Sequence, residues 1–311
     1  MPTRHTPEPS RWDGPAGRTA PERLLVRLEW RVIRRLDGRL SGGYRTAHRG
    51  TGTDFAGLRE YTDGDDARHI DWNVTARRGE PHLRVFNEDR ELTVWLVLDR
   101  SASMTVGPLG RGKHDVLSEL ALVLARLFSR GGNRVGALLY DTGAVRTVPP
   151  GTGRRHALRI GHELARTAGP GRRGSTTNLA AMLDAVDKLA RRRALIVVVS
   201  DFIGDGDWEQ SLLRLMPRHE IVALRVTDAA DDELPEAGLV DIEDAETREQ
   251  LVVDTGDPLL RERVRAGVAE RDARLAAGMR RASVPMHRIG TDADLATALI
   301  EVVASTQRRR T

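Results

Sequence analysis

The sequence predicts an α/β protein built on a doubly wound, mostly parallel, Rossmann-type sheet, with a small irregular module and a helix ahead of it. Three observations carry this. From Leu92 onward, apolar runs such as LTVWLVL (92–98), RVGALLY (134–140), ALIVVVS (194–200) and EIVALRV (220–226) read as buried strands. Helical patterns separate most of them, which implies parallel pairing with right-handed crossovers. The chain has 311 residues, 40% of them hydrophobic, enough to bury a sizeable core.

Residues 1–20 contain Pro2, Pro7, Pro9 and Pro15 and read as a disordered leader. Over 21–43 the positions Leu24, Leu25, Leu28, Val32, Ile33 and Leu36 recur at three and four, an amphipathic helix opened by Pro21 and closed by Gly42 and Gly43. Its other face carries Arg23, Arg27, Arg31, Arg34 and Arg35, a solvated face or one for an acidic partner or membrane surface. Residues 44–91 are poor in aliphatics, and Phe55, Leu58, Tyr61, Ile70, Trp72, Val85 and Phe86 suggest a small irregular core.

The main domain spans 92–305. After its first strand the pattern predicts a helix near Lys113–Ser129, the strand 134–140 and a short strand AVRTVP. Helices near His156–Ala168 and Asn178–Ala190 precede the central strand 194–200. A helix near Trp208–Met216, the strand 220–226 and a hairpin in LVDIEDAETREQLVVD follow. Helices near Pro258–Met279 and Asp292–Ala304 flank the strand VPMHRI, and residues 306–311 form a basic tail.

Composition narrows the chemistry. Lys+Arg 49 against Asp+Glu 45 leaves +4, too little to point to nucleic acid. Without cysteine there are no disulfides, thiolate metal sites or cysteine nucleophiles. The first twenty residues have no apolar h-region, and no stretch approaches the length of a membrane span, so the cytoplasm is the expected compartment.

In an open parallel sheet, ligands bind beyond the carboxyl ends of the strands, where the strand order reverses. Two strands here end in aspartate, Asp99 and Asp201. Asp99 opens Asp-x-Ser-x-Ser, with Ser101 and Ser103, and GSTTNLAAML places Thr176 and Thr177 before a helix. Two carboxylates, two serines and a threonine can converge on one point. An all-oxygen set of this kind suits a hard cation, Mg²⁺ or Mn²⁺. Such a site leaves an open coordination position that an outside carboxylate would fill.

Other readings fit less well. A serine hydrolase would need a base beside Ser101 or Ser103, and the G-x-S-x-G frame is absent. A haloacid-dehalogenase-like phosphatase would want a second aspartate where Ser101 stands. GPLGRGKH (107–114) approaches a phosphate loop but ends in His114 and starts well beyond the strand, so it is read as a surface loop with Lys113 opening a helix. In GDDARHIDW, Asp65, Asp66, His69 and Asp71 could form a second metal site, but the preferred reading is a turn at Asp65 and Asp66 after Gly64, paired with Arg68, Arg77 or Arg84 and anchored by Trp72. A partner surface and an acid/base pair are the alternatives there.

The DRSAS, TTNLAAML and VVVSD segments resemble the metal-ion-dependent adhesion site of von Willebrand factor A domains. That resemblance implies a metal set of Asp99, Ser101, Ser103, Thr177 and Asp201. The preceding run, FAGLREYTDGDDARHIDWNVTARRGEPHLRVFNEDRELTVWLVLDRSASM, resembles bacterial domain-of-unknown-function 58 proteins, and the likeness extends over residues 44–305. The resemblance implies a companion of MoxR-type AAA+ ATPases, an adaptor in protein remodelling, maturation or metal insertion. The expectation is therefore a non-enzymatic, cation-dependent binder of an acidic protein ligand, with no small-molecule substrate. The alternative is a metal-dependent hydrolase using the same cation.

Overall fold

The computed structural model describes residues 20–28, 49–50, 54–62, 65–87, 92–105, 110–130, 132–141, 144–166, 177–204, 207–243 and 250–308. The leader, the rest of the arginine-rich helix, Gly64, Thr176 and residues 309–311 of the tail lie outside these.

Helix α1 (Ala20–Leu28) is the described part of the first amphipathic segment. Its buried Leu25 and Leu28 join the main core rather than a core of their own. The following module is more regular than its sequence suggests. Strands β1 (Arg49–Gly50), β2 (Asp54–Glu60) and β3 (His82–Asn87) form an antiparallel sheet in the order β1-β3-β2, with helix α2 (Trp72–Arg78) between β2 and β3. Asp71 fixes α2: its carboxylate accepts from the backbone N–H of Asn73 and Val74 and from Arg84 Nε. Trp72, the first residue of α2, stands 68% exposed, and Leu58 is 39% exposed. The expected aromatic anchor is thus corrected: a polar clamp through Asp71 orients this segment, and Leu83, bridged through its backbone to Ile70, is buried while Trp72 is not.

The main sheet comprises β4 (Thr93–Asp99), β5 (Arg134–Asp141), β6 (Ala144–Gly151), β7 (Ala194–Ser200), β8 (Glu220–Thr227) and β11 (Met286–Gly290). Their order is β11-β8-β7-β4-β5-β6, parallel except for β6, which pairs antiparallel with β5 at the edge. Pro149 and Pro150 in β6 lack the N–H that a central strand must donate, which suits them to that edge. Separate from this sheet, β9 (Leu239–Glu243) and β10 (Gln250–Asp254) form the expected hairpin.

Helices α3 (Lys113–Arg130), α4 (Gly153–Arg166) and α8 (Leu295–Arg308) cover one face with α1, and α5 (Leu179–Leu189), α6 (Trp208–Leu215) and α7 (Pro258–Arg281) cover the other. Side-chain alternation divides the core: in β4, Val94, Leu96 and Leu98 face the first layer, while Trp95 and Val97 face the second. This is a doubly wound sheet, and no helix among the described residues is long and apolar enough to cross a membrane.

Candidate metal centre

Chain order reverses between β4 and β7, which are hydrogen-bonded neighbours at the middle of the sheet. The crevice beyond their carboxyl ends is therefore the topological switch point. Asp99 closes β4 and Asp201 directly follows β7, and both are buried, at 0% and 1% exposure. Asp99 Oδ1 accepts from Ser101 N–H at 3.0 Å, and Oδ2 accepts from Ser200 Oγ at 2.6 Å. Ser200 Oγ in turn accepts from Phe202 N–H at 2.9 Å. Burial, and next the negative charge of Asp201, push the Asp99 carboxyl up to about 7, against the hydrogen bonds from Ser200 and Ser101.

The hydroxyls stand close by. Ser101 precedes the 3-10 turn Ala102–Met104, and its Oγ lies 3.0 Å from Ser103 Oγ. Thr177 is fully buried one residue before Asn178, whose side chain caps α5 by accepting from Ala181 N–H at 2.8 Å. A Cβ on Gly204 would fall 2.4 Å from the carbonyl oxygen of Thr177, so the loop after Asp201 is packed directly on that threonine. The segments holding Asp99, Ser101 and Ser103, and those holding Thr177 and Asp201, therefore meet at one place.

Sequence reasoning missed the cation already built in. Lys113 does open α3, but it is not on the surface: its side chain is 2% exposed. Its Nζ lies 3.0 Å from Asp201 Oδ2 and 3.0 Å from both carboxylate oxygens of Asp231, in the 3-10 turn Ala229–Asp231 after β8. Burial alone would lower the ammonium's pKa, but the carboxylates of Asp201 and Asp231 outweigh it and raise it. An ammonium so committed is not presenting itself to a phosphate. A signal was available, since a lysine in the first turn of a helix opposes the helix dipole and calls for carboxylates to compensate it. Around this pair, Asp201 Oδ1 accepts from Ile203 N–H at 3.0 Å, and Arg225 reaches from β8 to the Asp201 carbonyl oxygen and to Asp272.

Among the described residues no three His, Cys, Asp or Glu side chains gather as metal ligands. A cation here would therefore depend on hydroxyl oxygens as well as on Asp99 and Asp201. The donor chemistry fits a hard dication: every candidate atom is oxygen, and two like-charged buried carboxylates lie close enough for one to raise the other's pKa. The other carboxylates weighed in the sequence are accounted for by arginine. Asp65 pairs with Arg59, Asp66 with Arg68 and Asp71 with Arg84, and each pairing lowers the carboxyl's pKa. They form neither a metal cluster nor a proton-sharing pair.

The fold and site define a doubly wound α/β protein with an aspartate at each of the two strand ends flanking its switch point. The chain belongs to the family described as Protein of unknown function DUF58, whose model matches residues 57–274. Uncharacterized proteins of Mycobacterium bovis and Mycobacterium tuberculosis are each 38% identical over 293 residues, covering 91% of this chain and 89% of theirs. Among solved structures, an aerotolerance-related membrane protein of Bacteroides fragilis is 15% identical at a TM-score of 0.44, over 71% of this chain and 100% of that one. The conserved hypothetical protein BatB of Bacteroides thetaiotaomicron is 14% identical at a TM-score of 0.42, over 70% of this chain and 99% of that one.

Proposed function

We propose that this protein is a divalent-cation-dependent, non-enzymatic protein-binding adaptor of von Willebrand A type. Asp99 and Asp201 supply its charge, and Ser101, Ser103 and Thr177 its neutral oxygens, around Mg²⁺ or Mn²⁺. The carrying observation is Asp99 beside Asp201 at the switch point: burial, and then the negative charge of Asp201, push its carboxyl up to about 7, and a dication would offset both by stabilising the charged form. An acidic group on a protein ligand would complete the shell. A MoxR-type AAA+ ATPase is the partner expected from the family resemblance.

The hydrolase alternative asks for a free base beside the cation. Asp99, whose pKa lies in the useful range, is itself a proposed ligand and is fully buried, and Lys113 is held protonated between two carboxylates. Both features favour binding over catalysis.

The test is thermal unfolding in about 10 mM Mg²⁺ or Mn²⁺ against EDTA, for the wild type and for Asp99→Ala combined with Ser101→Ala. Millimolar binding would stabilise the wild type by about 1.4 kcal/mol, a shift of a few degrees that the double variant lacks. Equal midpoints with and without cation, for both proteins, would remove the cation from the reading. Cation-dependent capture of a purified MoxR-type ATPase tests the partner separately.

A further inference from the structure

Lys113 occupies a costly place for a lysine. It is buried, it stands at a helix N-terminus whose dipole opposes its charge, and it leans on one of the two carboxylates proposed to hold the cation. We propose that Lys113 is a built-in counter-charge that weakens the cation site of Asp99 and Asp201, in balance with Asp231. This rests on the cation reading given above.

The charges make the balance explicit. Asp201 Oδ2 faces the Lys113 ammonium at 3.0 Å while Oδ1 accepts from Ile203 N–H, so part of the charge Asp201 offers a dication is already neutralised. A dication and the ammonium, both drawn to one carboxylate in a water-poor site, repel each other across a short distance. Asp231 offsets that repulsion by holding the same ammonium through both of its oxygens. Among the described residues Asp99 has no such partner: its oxygens meet Ser101 N–H and Ser200 Oγ, both neutral donors. The resting site is thus a carboxylate with neutral donors beside a carboxylate already paired. Its affinity is set from the third carboxylate, on the turn after β8, and from the first residue of α3.

Loss of packing alone would weaken binding in any variant, whereas a charge balance moves two variants in opposite directions. Mn²⁺ titration calorimetry on the full chain compares the wild type with Lys113→Met and Asp231→Asn. Lys113→Met should bind about tenfold more tightly and Asp231→Asn several-fold more weakly. The two variants moving in the same direction, or Lys113→Met binding no more tightly than the wild type, overturns the proposal. Should Lys113→Met fail to fold, Lys113→Gln takes its place: binding tighter than the wild type supports the counter-charge, and equal or weaker binding overturns it. Absence of Mn²⁺ binding by all three proteins up to about 10 mM would overturn the cation reading itself, a result distinct from a wild type that binds and a Lys113 variant that does not improve on it.

Discussion

Ser200 donates its hydroxyl to Asp99 Oδ2 at 2.6 Å, joining the ends of two neighbouring parallel strands at the switch point. Because the bond favours the charged carboxylate, Ser200→Ala should destabilise the metal-free protein by about 1–3 kcal/mol at pH 8. The loss should be smaller at pH 5, where the Asp99 carboxyl is protonated. Urea unfolding at the two pH values checks this, and equal losses at both would detach Ser200 from the charge on Asp99.

The same carboxyl sets a pH dependence. Its folded pKa of about 7 stands above the usual 3.8, so the fold prefers the protonated form. Its contribution to stability is therefore fully present below pH 3.8 and is lost as pH rises through 7, by on the order of 4 kcal/mol. In EDTA, the wild-type midpoint should fall between pH 5 and pH 8 relative to that of Asp99→Asn, whose side chain does not titrate. Added Mg²⁺ should restore stability mostly above pH 7, where the carboxylate is charged. Parallel pH profiles for the two proteins would contradict this account of Asp99.

Gly204 has no room for a side chain, since a Cβ there would meet the Thr177 carbonyl oxygen at 2.4 Å. Gly204→Ala must push the loop after Asp201 away from Thr177. The variant should keep its far-ultraviolet circular dichroism and lose about tenfold or more in Mn²⁺ affinity, as expected when a ligand is displaced by about an ångström. Unchanged affinity in a folded Gly204→Ala protein would remove Thr177 from the cation set.

His219 gives a prediction away from the site. It follows α6 at 5% exposure, and neither ring nitrogen has a hydrogen-bond partner among the described residues. Burial, and then the Arg218 charge, push its pKa below the usual 6.5, so its stabilising contribution is present above pH 6.5 and is lost as pH falls. His219→Leu removes two unsatisfied polar atoms from a buried position and should raise the thermal midpoint by about 2–4 °C while softening the acid side of the profile. A lower midpoint at pH 7 would mean that the imidazole has a partner in solution.

Much of the sheet was legible because β4, β7 and β8 are nearly uniform apolar runs, and because strand-terminal aspartates must face the crevice. Ser101 and Ser103 lie beside the end of β4 because they follow Asp99 at two and four residues, whereas Thr177 came only from the run TTNLAAML before its helix. What was hidden is tertiary: Lys113 meets Asp201 across 88 residues and Asp231 across 118, and no local pattern records those meetings. Trp72 misled for the opposite reason. An aromatic in a module short of aliphatics reads as an anchor, but the Asp71 cap and its Arg84 partner decide the local geometry and leave the ring outside.

The division of β4 between two core layers has a consequence for cooperativity. Val94, Leu96 and Leu98 belong to one layer and Trp95 and Val97 to the other, so a single strand is a wall of both. Neither layer can melt and leave the other its wall, because opening either face strips half the packing from the strand that carries Asp99. The doubly wound domain should therefore unfold in one all-or-none transition, with calorimetric and van't Hoff enthalpies in agreement. A substitution buried beneath α7 would then be felt at the switch point as readily as one beneath α3.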